Sequence, residues 1–78
     1  MAVHTFPLNA DFIELHALLK VLGLAPSGGA AKTLVAEGQV RVDGEVETRK
    51  ARKLRAGQVV HVGGEEIRVV GADGEAQV

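Results

Sequence analysis

The chain has 78 residues, of which 46% are hydrophobic and 24% charged, with a formal net charge of −1. That length supports one small core, and the mixture of apolar and charged residues excludes general disorder. The absence of cysteine, of long apolar runs and of a basic, apolar start excludes disulfides, thiolate zinc, a spanning helix and a signal peptide, which leaves a soluble, cytoplasmic single domain over residues 1–78.

Val3 to Leu8 alternates weakly and reads as a short edge strand closed by Pro7. Asn9 or Asp11 is placed to cap a first helix. Phe12, Leu15, Leu19 and Leu22 fall at helical spacing, with Leu18 widening the stripe, so this helix is expected from about Asp11 to Leu22. Gly23 suits the left-handed position that ends it. After Leu24-Ala25-Pro26, Ser27 offers a hydroxyl to the free N–H groups of a second helix. Its apolar face is Ala31, Leu34 and Val35, and Gly38 stops it after Glu37. Gly28 and Gly29 are poor helix formers, so either the helix starts later than Ser27 or something other than propensity placed them there.

Beyond Gly38 the period changes to two. Val40 and Val42 alternate with Arg41, and Asp43-Gly44 is a strong hairpin signal. Glu45-Val-Glu-Thr-Arg returns on the other side. The basic run from Lys50 to Arg55 carries one apolar residue, Leu54, suited to pinning it to the core. Gln58 to Val62 and Glu65 to Val70 read as strands, joined through Gly63-Gly64. The tail, residues 71–78, is polar and glycine-rich and is expected to fray. The fold class is α+β: two N-terminal helices packed on a small, mostly antiparallel sheet.

Charge is unevenly spread. Residues 39–55 hold six bases (Arg41, Arg49, Lys50, Arg52, Lys53, Arg55) against three acids (Asp43, Glu45, Glu47), whereas the segments on either side are acidic. Affinity for a polyanion follows such a local patch and not the total charge. An isolated charge run is ordinarily a solvated loop, so this signal needs a second one beside it.

The block from Leu24 to Gly44, with Ser27-Gly-Gly-Ala-Ala-Lys32 followed by Glu37-Gly-Gln-Val-Arg-Val-Asp-Gly44, supplies it. It resembles the RNA-binding domain named after small-subunit ribosomal protein four, also called the alpha-L motif. The likeness continues through Arg49, Lys50, Lys53, Leu54, Gly57, Val59 and Val60, and covers Ile13 to Val70. The Ser-Gly-Gly form and the Val46-Glu-Thr-Arg-Lys50 run look most like small stand-alone bacterial members; in larger relatives the domain delivers an enzyme to ribosomal or transfer RNA. Two positions depart from the family pattern. Gly28 stands where an arginine often follows the capping serine, with Lys32 one turn later able to supply its charge. Gln58 stands where an acidic residue commonly follows Gly57, read as a detail of the turn.

The resemblance implies structured RNA, ribosomal RNA included, held by a rim that joins the second helix to the hairpin segment. The candidate RNA-binding residues are Ser27, Lys32, Arg41, Arg49, Lys50, Arg52, Lys53 and Arg55. Ser27 is first a helix cap. Phe6 and Phe12, the only aromatic residues, are expected in the core, which argues against base-stacking modules and for recognition of shape and phosphates. Gly28-Gly29 is no P-loop, because no Gly-Lys-Ser/Thr follows. His4, His16 and His61 lack metal-ligand spacing, and neither Ser27 nor Thr48 has a histidine that would activate it. The chain is therefore expected to be a non-enzymatic monomer with no catalytic residue, metal, cofactor, small-molecule substrate or membrane partner. The rival reading is a protein–protein interaction module for a ribosome-associated or RNA-processing protein.

Overall fold

Period two after Gly38 builds a sheet in the computed structural model, which describes residues 2–71. In chain order the elements are β1 (Ala2–Leu8), β2 (Ile13–Glu14), α1 (Leu15–Val21), α2 (Gly28–Ala36), β3 (Val40–Val42), β4 (Glu45–Val46), β5 (Lys53–Leu54), β6 (Val59–Val62) and β7 (Glu65–Gly71). Five strands form one sheet in the order β1-β7-β6-β3-β4, and β2 pairs with β5 separately. The β3–β4, β3–β6 and β6–β7 pairs are antiparallel, and β1 runs parallel to β7 at one edge. The β3–β4 turn places Asp43 at φ 52° and Gly44 at φ 87°, the left-handed pair that a two-residue hairpin requires.

The helices cover one face of this sheet. Leu15, Leu18 and Leu19 of α1 and Ala31 and Val35 of α2 are buried against Val40, Val42, Val60, Val62, Ile67 and Val69. Each large aliphatic side chain removed from water this way contributes about 1.5–3 kcal/mol before entropy is counted. Alternation puts Arg41, His61, Glu66 and Arg68 on the uncovered face, since Arg41 opposes His61, His61 opposes Glu66 and Val59 opposes Arg68. Ser27 caps α2 as expected: its Oγ accepts from the Ala30 N–H at 3.1 Å. Gly28 and Gly29 lie inside the helix, and Gly38, at φ 75°, follows its C-cap Glu37.

Several expectations need correction. The first helix begins at Leu15 instead of Asp11, and neither Asn9 nor Asp11 caps it. Ile13 and Glu14 are taken into pairing with Leu54 and Lys53. The free donors of α1 then meet backbone: Leu15 N–H donates to Arg52 O at 2.9 Å and His16 N–H to Lys50 O at 3.0 Å. Carbonyls of the basic run therefore do the work of a side-chain cap. Phe12 is thereby left outside the helical stripe and on the surface, 36% exposed, whereas Phe6 packs against the core as expected. The helices are also preceded by β1, whose pairing runs through Pro7 to Leu8 without stopping at the proline. An edge strand tolerates a residue without an N–H. Gly71 belongs to β7 opposite Leu8, while the rest of the expected tail lies outside the described residues. Among the described residues, no helix is long and apolar enough to cross a membrane.

Candidate nucleic-acid interface

The segment between β4 and β6 carries five of the eight candidate side chains on a backbone with little regular structure. Leu54 anchors it, fully buried in the core. Register then decides which side chains point outward. With Ile13 opposite Leu54 and both facing inward, Phe12 and Glu14 on one strand and Lys53 and Arg55 on the other must face out. The outward group is observed in contact: Lys53 Nζ lies 4.9 Å from the Phe12 ring centroid, and the Arg55 guanidinium carbon lies 5.9 Å from it. Arg55 also donates from Nη1 to Asp11 O at 3.2 Å.

Glu47 organises the other end of the segment. Its carboxylate, 8% exposed, accepts from Arg49 N–H and Arg49 Nε at 2.9 Å each, from Arg49 Nη2 at 3.1 Å and from Arg52 Nη1 at 2.7 Å. These donors, Arg49 first, outweigh the opposing effect of burial and lower its pKa from 4.5 to about 2. The Arg49 guanidinium is correspondingly raised by Glu47. Arg49 nevertheless remains 73% exposed at its side chain, so one carboxylate fixes its direction without hiding it. The sequence placed Glu47 only as a tuning charge beside the run; its burial was not legible, because Val46 before it faces solvent.

Gln58 makes a second tie. Its Oε1 accepts from Arg55 N–H at 2.8 Å, and its Nε2 donates to Asp43 Oδ2 at 3.1 Å. An amide does both at once; a carboxylate there would accept from Arg55 but repel Asp43. The position is thus a strut between the hairpin turn and the basic run, and more than a detail of the turn. Arg49, Ala51, Arg52 and Lys53 together line an open recess of about 460 Å³.

The sequence that builds these two helices, the hairpin-bearing sheet and the pinned basic segment matches the S4 domain family over residues 6–70. The chain belongs to the S4 domain family. It is 53% identical over 67 residues to the Escherichia coli K12 protein named "Putative RNA-binding protein YbcJ", covering 85% of this chain and 96% of that one. It is 37% identical over 57 residues to the Bacillus subtilis "Probable ribosome maturation protein RlbA", covering 73% and 80% respectively. It is 36% identical to small ribosomal subunit protein uS4 of Clavibacter michiganensis, covering 83% of this chain but 34% of that protein. The solution structure of E. coli YbcJ, described as revealing an "alfaL motif involved in RNA-binding", superposes with a TM-score of 0.67 at 51% identity over 85% of both chains. The α+β fold is accordingly that of the alpha-L motif.

Within this S4 domain, Arg49, Lys50, Arg52, Lys53 and Arg55 are brought together, and Lys50, Lys53 and Arg55 make no ion pair among the described residues. Lys32 is exposed on α2 and Ser27 lies at that helix's start. Arg41 projects from the sheet face away from the helices, where it lines a depression of about 260 Å³ with Gln39, His61 and the β6–β7 turn. Besides the burial of Glu47, two structural features of this segment escaped the sequence reading. Phe12 was assigned to the core because its spacing fits the helical stripe, and Gln58 was judged by its place in a turn. The exposure of Phe12 was recoverable only from the β2–β5 register, which two-residue strands do not announce.

Proposed function

We propose that this S4 domain binds structured RNA, ribosomal RNA among its targets, without catalysing a reaction. The observation that carries the reading is the basic segment 49–55, whose backbone is pinned by Leu54 while its cations face outward. Phosphates are met by positive groups held at fixed positions, and such a segment supplies several of them in a short arc. The names given to YbcJ and RlbA support RNA and ribosome maturation as the setting. Arg49, Lys50, Arg52, Lys53 and Arg55 form the centre of the contact. Lys32 and the Ser27-capped start of α2 extend it on the helical side, and Arg41 reaches RNA that wraps past the hairpin. The protein acts as a monomeric single domain, in the cytoplasm, with no cofactor.

The test is a salt titration of binding to ribosomal RNA fragments. With roughly five to six phosphate contacts, log affinity against log salt falls with a slope of about −3 to −5. A flat response would remove the electrostatic contact and put the interaction-module reading first.

A further inference from the structure

The chain contains only two aromatic residues, and it leaves one of them, Phe12, at the surface. The position is fixed by structure on both sides. Ile13 is paired with Leu54 and packs on the core, and the preceding Asp11 carbonyl is held by Arg55. The ring therefore sits immediately before an anchored two-strand ladder. Extending the β2–β5 register by one residue puts it on the side of Arg55 and Lys53, consistent with the two cations at 5.9 and 4.9 Å. Both cations are exposed; Lys53, on its long stem, can swing to a nearby phosphate, while Arg55 keeps its hold on the Asp11 carbonyl and the ring stays in place. A flat apolar surface flanked by two exposed positive charges matches one ligand well: a nucleotide whose base is unstacked and whose adjoining phosphates are free.

We infer that Phe12, with Lys53 and Arg55, is a stacking site for a single unpaired base of the bound RNA, such as a bulged nucleotide. The inference rests on the RNA-binding reading above and adds to it a local recognition element. Phosphate contacts along 49–55 hold a helix or loop in register, and the ring accepts the base that the RNA does not pair. Discrimination then comes from the presence of an unpaired base at that point, with little dependence on which base it is, because every base has a face to stack.

Three short RNA hairpins test this: one with a single bulged adenine, one with an abasic residue at the bulge and one fully paired. The chain has no tryptophan or tyrosine, so Phe12→Trp introduces one indole whose fluorescence reports stacking directly. The adenine bulge is expected to quench it and the abasic bulge to leave it nearly unchanged. Phe12→Ala is expected to weaken binding to the adenine bulge by roughly 5- to 100-fold, with Phe12→Leu in between and binding to the abasic hairpin unaltered. Equal losses on adenine and abasic hairpins, or an unquenched indole, would overturn the stacking site while leaving salt-dependent RNA binding intact. Failure of the unmodified protein to bind any of the three at low salt would overturn the RNA reading and the stacking site together.

Discussion

Two glutamates in this molecule each bridge two basic side chains, and their surroundings give them opposite consequences. Glu66 on β7 binds Arg68 at 2.6 Å and His61 at 3.1 Å, on the uncovered sheet face. Its carboxyl is lowered by Arg68 first and then by His61. Glu47 binds Arg49 and Arg52 in the same way, but beneath a segment that holds three further cations without an ion pair among the described residues. On the hairpin the acid consumes the local positive charge. On the basic segment it spends one charge to fix two guanidinium groups and leaves a surplus facing outward. The difference teaches that an ion pair does not by itself mark a charge as structural; what counts is the balance left over after pairing.

The sharpest way to break this comparison is to remove the surplus without touching Glu47. Lys50→Glu, Lys53→Glu and Arg55→Glu combined are expected to abolish RNA binding with an unchanged circular dichroism spectrum. Arg68→Gln on the hairpin is expected to change affinity by less than about threefold, since it removes a charge already paired. Equal losses in the two variants would erase the distinction.

A smaller effect separates anchoring from charge. Leu54→Ala empties a fully buried site and should lower unfolding free energy by about 2–5 kcal/mol in urea denaturation. Val46→Ala, at a side chain 52% exposed beside Glu47, should stay within about 0.5 kcal/mol.

The smallest effect concerns the acids themselves. Glu47 is held down to about 2 in the fold against 4.5 normally. Its stabilisation is therefore complete above about pH 4.5 and drains away as pH falls toward 2. Glu47→Gln should cost on the order of 1–2 kcal/mol at neutral pH, after discounting for nearby solvent, and flatten the acid limb of a stability–pH curve. Glu66→Gln should lower the melting temperature less, and the two variants together measure what burial adds to the same bridge.

Much of the architecture was legible because it is written in short-range periodicity. The Ser27 cap, the Gly38 stop, the Asp43-Gly44 turn and the Leu54 anchor each depend on a few neighbouring residues and were read correctly. What escaped depends on residues far apart in the chain. Phe12 looks helical until Leu54 and Lys53 claim its neighbours for a ladder. Glu47 looks like one more surface acid until Arg49 and Arg52 fold over it. The cationic centre of the candidate site was visible as composition, whereas its aromatic member and its two supporting side chains, Glu47 and Gln58, were set by register.

The parallel edge strand has a consequence for how the protein is made. β1 is synthesised well before its hydrogen-bonding partner β7, and the His4–Glu65 contact that ties them spans 61 positions. No local structure satisfies β1 in the interval. The strand must wait unpaired through synthesis of both helices and both hairpins, and long-range parallel pairing of this kind is slow to nucleate. Closing this edge therefore has to await β7, and Phe6, which packs against the core, has no partner strand until then.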